Sequence, residues 1–160
     1  MTVTLRRMRA SDLHEVLDIE RKLFPEDAWS ERMFASELEQ PATRYYIVAD
    51  EDGTVAGYAG LSAARGDQGD VTTIAVRADR HGEGIGTAML ADLIATAAAR
   101  ECRDVFLEVR ADNHRARLLY LRTGFSEVGV RHAYYQPSGV DAVVMRLPIP
   151  RGDEPAEAAL

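Results

Sequence analysis

The chain has a single cysteine, Cys102, and a single lysine, Lys22, among its 160 residues. One cysteine excludes an internal disulfide framework and any cysteine-based metal cluster. The four histidines (His14, His81, His114 and His132) have no metal-ligand spacing, so no metal is expected. No apolar run approaches the ~20 residues of a membrane span. The opening MTVTLRRMRASDL lacks the apolar stretch of a signal peptide, and a cytoplasmic protein with no membrane partner is expected. Basic charge is also scarce: 26 acidic against 19 basic residues leave a net charge of −7. A general nucleic-acid binder would carry a basic stripe, so that class is disfavoured. An acidic balance suits cationic partners and plain solubility alike.

What is present reads as a folded domain. Hydrophobic residues make up 46% and charged residues 28%, which argues against disordered, collagen-like and coiled-coil classes. The length fits one domain with a single well-buried core, expected over residues 1–149. Residues 150–160 combine proline with acidic and small residues and read as a flexible C-terminal tail.

Hydrophobic periodicity gives the element order. Val3 to Met8 reads as a strand, and Ser11 offers an N-cap to a helix carrying Leu13, Val16, Leu17, Ile19 and Leu23. Phe24-Pro25-Glu26-Asp27-Ala28 breaks that pattern, and Ser30 caps a second short helix with Met33, Phe34 and Leu38. The period then changes to two. Tyr45 to Ala49 and Thr54 to Ala63 read as a hairpin around Asp50-Glu51-Asp52-Gly53, followed by a β-branched strand, Val71 to Val76. A long helix carries Ile85, Met89, Leu93 and Ala97 on one stripe. Asp104 to Arg110 returns to strand, Asn113 opens a helix ended by Gly124, and two final strands close the chain. The class is mixed α/β with a largely antiparallel sheet of about seven strands and helices on both faces.

The fourth strand runs straight into Gly82-Glu83-Gly84-Ile85-Gly86-Thr87 and then a helix. Glycines let a backbone approach a ligand closely with several N–H groups aimed at one point, and a helix N-terminus adds its dipole. That is a recipe for holding phosphate or pyrophosphate. A kinase-type loop needs Lys before Ser/Thr, and Gly86-Thr87 has none. A dinucleotide fingerprint needs its third glycine at Thr87 and a strand that begins a βαβ repeat, and neither condition holds. A ligand-free strand-to-helix turn stays open as the plain alternative.

Three further residues stand out. Phe106, Glu108 and Arg110 share one face of their strand. Glu108 lies near that strand's C-terminal end, where ligand sites of α/β sheets gather. It reads either as a partly buried proton acceptor or as a solvated carboxylate paired with Arg110. Asn113 and Tyr120 are seven apart and share a helix face. Asn113 reads as an N-cap or a ligand group, and Tyr120 as a core aromatic or as a phenol aimed into the same cleft as Glu108. Cys102 has no base at a nucleophile's spacing and reads as a small buried residue.

Together these segments resemble the GNAT superfamily of acetyl-CoA-dependent N-acetyltransferases. More closely they resemble the RimI family of bacterial ribosomal-protein-alanine N-acetyltransferases, over about residues 1–149. The carrying residues are Phe24-Pro25 with Trp29-Ser30, IAV at 74–76 with GEGIGT at 82–87, LEVRADN at 107–113, LLY at 118–120, GF at 124–125, Tyr134-Tyr135 and AVVMRLP at 142–148. The resemblance implies a sheet whose fourth and fifth strands splay apart around the cofactor's pantetheine arm. Main-chain groups of Ile74, Ala75 and Val76 would hold that arm and the acetyl group. Gly82, Glu83, Gly84, Ile85, Gly86 and Thr87 would cradle the pyrophosphate, and Asn113 would bond the arm. Glu108 falls at the general-base position and Tyr120 at the general-acid position. Phe24, Pro25, Tyr134 and Tyr135 would line the acceptor slot. One departure is visible: His81 opens the loop where the family pattern has Gln or Arg, and Glu83 follows, so that its side chain must point away from a pyrophosphate.

The expected activity is transfer of acetyl from acetyl-CoA to the N-terminal amine of a protein, a ribosomal protein beginning with Ala being the implied acceptor. The same chemistry on a lysine side chain or a small-molecule amine is the alternative. A non-catalytic acyl-CoA-binding module would be favoured had Glu108 or Tyr120 been replaced by an inert residue.

Overall fold

The computed structural model describes residues 2–150, so the expected tail lies outside the described residues apart from Pro150. Strand β1 (Val3–Arg7) leads through a short 3-10 turn into helix α1 (Leu13–Leu23) and then α2 (Glu31–Leu38). Strands β2 (Arg44–Glu51), β3 (Thr54–Ala63) and β4 (Gly69–Val76) follow. Next come α3 (Ile85–Ala99), β5 (Asp104–Arg110), α4 (His114–Thr123), β6 (Ser126–Tyr135) and β7 (Val140–Pro148). All seven strands form one sheet in the order β1-β2-β3-β4-β5-β7-β6. Its pairs are antiparallel except β4 with β5. No helix among the described residues is long and apolar enough to cross a membrane.

Strand alternation sorts the core into two layers. On β2, Ile47 and Ala49 join Leu61, Met89, Leu90, Leu93, Val105 and Met145 under α3. Tyr46 and Val48 point the other way and join Val16, Phe34 and Tyr58 under α1 and α2. Two of the expected caps are present. The Ser30 hydroxyl accepts from the Met33 N–H at 3.2 Å, and the Asn113 side-chain oxygen accepts from the Ala116 N–H at 3.2 Å. Gly124 ends α4 with φ 114°, a conformation that favours glycine.

Ser11 does not cap α1. It lies inside the 3-10 turn Ala10–Asp12, and the helix begins from Asp12. The Asp12 carboxylate accepts the Arg9 N–H at 2.7 Å and two Arg6 guanidinium bonds at 2.8 and 2.9 Å. The Asp12 carboxylate thus fixes the junction on its strand side, and the helix N-cap falls one residue after Ser11.

What positions the site is a fault in the sheet. The β3–β4 register steps from Gly60↔Thr73 to Leu61↔Val71, which leaves Thr72 as an extra residue on β4. A bulge of this kind bends its strand and sharpens its twist. Gly60 makes room for it. A Cβ there would come within 2.3 Å of the Tyr46 ring and 2.8 Å of Thr72 Oγ1. Beyond the bulge β4 leaves its parallel neighbour: β4 and β5 pair only at Gly69↔Val105 and Asp70↔Phe106. The two strands therefore open a wedge between Val71–Val76 and Leu107–Arg110.

Candidate active site

The glycine loop stands at the open end of the wedge, between β4 and α3. Gly82 and Gly84 have φ of 82° and 83°, and nothing lies within 4 Å of where a Cβ would stand on either. Gly86 is tighter: a Cβ there would meet Leu119 Cδ2 at 3.3 Å, so the loop and α4 close on each other. Gly84 is the N-cap of the 15-residue α3 and supplies no side-chain cap. The first N–H groups of that helix thus lack an intrahelical partner and carry the positive end of its dipole. An open glycine cradle with orphaned donors fits the pyrophosphate of a coenzyme A thioester.

His81 and Glu83 are both accommodated. The His81 ring Nε2 lies 2.8 Å from the Val76 carbonyl oxygen, which ties the loop back to β4. Glu83 is exposed and its carboxylate approaches Arg80 at 3.9 Å. Arg80 in turn grips Glu51 at 2.7 Å. Glu83 therefore leans toward the β1–β2 side of the sheet.

Across the wedge, β5 alternates as expected: Val105, Leu107 and Val109 are buried, and Phe106, Glu108 and Arg110 are half-buried. Glu108 does not pair with Arg110. Its Oε1 meets Arg131 Nε at 2.7 Å, from β6. Arg110 instead reaches Asp112 at 3.1 Å, Asp27 at 3.5 Å and Glu26 at 3.6 Å, and its guanidinium lies 5.3 Å from the centre of the Tyr135 ring. The α1–α2 turn, β5 and the β6–β7 hairpin are thereby tied at one point.

The hairpin closes over Glu108. The Tyr134 phenol lies near the Glu108 carboxylate, and that proximity raises it. Tyr135 packs edge-on against Tyr134 at 5.2 Å, and burial together with the Glu108 charge pushes its phenol up to about 12. Asp70, at the root of the wedge, is raised by burial and by its carboxylate neighbours Asp67 and Glu108. At the mouth stand the carboxylates of Glu108, Glu26 and Asp27, paired with Arg131 or Arg110.

Tyr120 is buried against Phe125, with ring centroids 6.0 Å apart. Burial raises its phenol, with Tyr135 adding to the shift, so the group stays protonated through the physiological range. The Asn113 oxygen is engaged as the α4 N-cap, which leaves its side-chain N–H₂ to face a ligand. Cys102 is buried, and burial raises its thiol. Among the described residues, no group of three or more His, Cys, Asp or Glu could hold a metal ion.

Four residues were not singled out from the sequence: Arg131, Arg110 as a three-way tie and Asp70 at the site, and Glu20, a buried carboxylate on α1. Arg131 sits beside Glu108 only because β7 lies between β5 and β6, with Glu108↔Val144 and Arg131↔Ala142 in register. Glu20 did carry a signal. It falls three and four residues after Leu17 and Val16, on the apolar stripe of α1.

A bulged, splayed sheet with a helix-capping glycine loop at its open end defines an enzyme that binds a coenzyme A thioester. The comparisons make this specific. Residues 13–125 match the acetyltransferase (GNAT) family. The chain belongs to that family and is an acetyl-CoA-dependent N-acetyltransferase. It is 37% identical over 148 residues to the N-alpha-acetyltransferase RimI of Mycobacterium tuberculosis, covering 90% of this chain and 91% of the relative. Among solved structures, it is similar to the ribosomal-protein-S18-alanine N-acetyltransferase of Escherichia coli. The TM-score there is 0.83 at 32% identity, over 96% of this chain and 97% of that one. A GNAT phosphinothricin acetyltransferase from Sinorhizobium meliloti, solved with AcCoA, superposes with a TM-score of 0.79 at 26% identity, over 99% of this chain and 96% of that one.

Proposed function

We propose that the enzyme acetylates the N-terminal α-amine of a protein, a ribosomal protein beginning with Ala in the cytoplasm, with residues 1–149 acting as a single catalytic domain. The observation that carries this reading is the position of Glu108. It stands on the wedge wall, beneath Tyr134 and Tyr135, with the turn holding Phe24 and Pro25 tied alongside by Arg110. Such a slot is bounded on two sides and suits a chain end. The names of the relatives, an N-alpha-acetyltransferase and a ribosomal-protein-S18-alanine N-acetyltransferase, support the same reading.

The roles divide among the residues as follows. Acetyl-CoA supplies the activated acetyl group. Ile74, Ala75 and Val76 hold the pantetheine arm by main-chain groups, and Asn113 bonds it from the other side. Gly82 to Thr87 hold the pyrophosphate through backbone N–H groups. Glu108, directly or through one water, takes a proton from the α-ammonium, whose ordinary pKa is near 8. The freed amine lone pair attacks the acetyl carbonyl, and the Val76 N–H polarises that carbonyl. Tyr120 delivers its proton to the sulfur as the carbon–sulfur bond breaks, and the second proton of the acylated nitrogen passes to the resulting phenolate, directly or through water, which leaves a free thiol, a neutral amide and a restored phenol.

The test is mass spectrometry of peptides incubated with the enzyme and acetyl-CoA. A peptide beginning with Ala should be acetylated faster than its N-terminally blocked copy carrying an internal Lys. Equal rates would move the assignment to lysine or small-molecule amines.

A further inference from the structure

Glu20 is a buried carboxylate that the chemistry above does not use. It is 2% exposed, on the face of α1 that packs with Val16, Leu17, Phe34 and Tyr58. Its carboxylate accepts the Tyr58 hydroxyl through Oε1 and the Trp29 backbone N–H through Oε2 at 2.9 Å. An apolar side chain would fill the same place with no charge to desolvate, so the carboxylate is explained by what it holds.

What it holds is the far end of the α1–α2 connection. Phe24 leaves the helix at φ −128°, ψ 63°, with its N–H still on the Glu20 carbonyl at 2.8 Å. The turn then has one backbone bond of its own, the long 3.3 Å contact from Asp27 N–H to the Phe24 carbonyl. Two side-chain ties do the rest. Arg110 reaches Asp27 from β5, and Glu20 reaches Trp29 from α1. The Trp29 ring rests on Phe34 at 5.1 Å, and Phe34 meets Tyr58 edge-on at 5.9 Å. Glu20 therefore grips both ends of an aromatic run that floors the turn.

We propose that Glu20 is a positioning residue for the acceptor: by holding the Trp29 N–H and the Tyr58 hydroxyl together, it sets the shape of the Phe24–Asp27 wall of the chain-end slot. The inference rests on reading that wall as part of the acceptor site. Glu20 makes no hydrogen bond to the glycine loop or to Glu108, and it reaches the cofactor strand only through Tyr58, the register partner of Ala75, so its effect should fall chiefly on the acceptor side.

Steady-state kinetics with an Ala-initiated peptide and acetyl-CoA test it. Glu20→Leu should raise the acceptor KM about tenfold, the scale of a lost hydrogen bond to a charged group. The KM for acetyl-CoA should stay within about twofold, as for a remote substitution. Glu20→Gln should retain the parent's acceptor KM, because the amide oxygen can accept from Trp29 while its N–H₂ donates to the Tyr58 oxygen. Tyr58→Phe removes one of the two ties and should fall between. A Glu20→Leu variant that shifts both KM values alike, or neither, overturns the assignment. Should that variant not fold, an unchanged acceptor KM in Tyr58→Phe overturns it equally. Failure of the underlying reading is separate and shows as no turnover of the peptide by the unaltered protein.

Discussion

Arg131 Nε stands 2.7 Å from Glu108 Oε1, so a guanidinium from the edge strand rests on the carboxylate assigned as proton acceptor. An arriving α-ammonium has to take that guanidinium's place. Arg131 is mostly exposed and its other contact is the Tyr134 ring at 5.7 Å. Exposed pairs are worth about 0.2–1 kcal/mol, so Arg131→Gln should lower the acceptor KM by up to about fivefold at low salt. The gain should vanish at high salt. A higher KM in the variant would show that Arg131 holds the acceptor rather than competes with it.

Glu108→Gln keeps the shape of the side chain and removes the base. The ratio kcat/KM at pH 7 should fall about 10²–10⁴-fold. The deficit should narrow toward pH 9–10, where more of an amine of pKa ≈ 8 is already neutral. A pH–rate profile of parent and variant measures this. A variant within about threefold of the parent at pH 7 sits below the range for a lost base and would leave Glu108 as an ordinary surface carboxylate.

Tyr120→Phe keeps the ring against Phe125 and removes the proton donor. Turnover should drop while acetyl-CoA affinity, measured by calorimetry, stays near the parent's. Raising the pH should not restore it, because an acid is what the variant lacks. Recovery at high pH would assign Tyr120 to packing alone.

Gly84 occupies the left-handed region at the start of α3, with open space around it. Gly84→Val meets no neighbour but must adopt a φ that costs an L residue roughly 1–2 kcal/mol. It also sets two methyl groups where the cofactor's phosphates would approach. The melting temperature should fall, and the further rise on adding acetyl-CoA should shrink. A folded variant with unchanged acetyl-CoA affinity removes the loop from the cofactor site.

Arg6 holds the Asp12 carboxyl below its usual value of 3.8, chiefly through their hydrogen bonds. The folded chain therefore keeps Asp12 ionised at pH values where the unfolded chain would protonate it. That stability is present above the unfolded value and is lost as pH falls through the folded one. Asp12→Asn should cost about 1–2 kcal/mol at neutral pH. Thermal melts should show parent and variant converging below the unfolded carboxylate range. A gap that persists unchanged into strong acid would mean that the ion pair is not its source.

The parts of the fold readable from sequence were those fixed by local chemistry. Thr54–Ala63 and Asp104–Arg110 were read with the bounds they have, because turn residues and alternation flank both. Ser30, Asn113 and Gly124 announced helix ends through side-chain oxygens or a missing Cβ. What stayed hidden depends on register across strands distant in sequence. The bulge at Thr72 needs Gly60 and Tyr46 opposite it, and the Glu108–Arg131 contact needs β7 inserted between their strands. Ser11 misled because Asp12, one residue later, had a guanidinium partner waiting on β1.

The wedge also bears on how this sheet avoids sticking to itself. Strands that part in mid-sheet expose two inward margins in addition to the outer margins on β1 and β6. Free margins ordinarily invite pairing with strands of other molecules. Here the root of the wedge is sealed by the pairs Gly69↔Val105 and Asp70↔Phe106, and its walls converge from the mouth inward. A foreign strand carries side chains on alternating faces and cannot slide into so tapered a gap. A slender chain with two amides, such as the pantetheine arm, would meet less obstruction. On the proposed placement of the pantetheine arm, the taper that admits the cofactor also screens out polypeptide, so selectivity against aggregation and selectivity for the cofactor would come from one geometric fact.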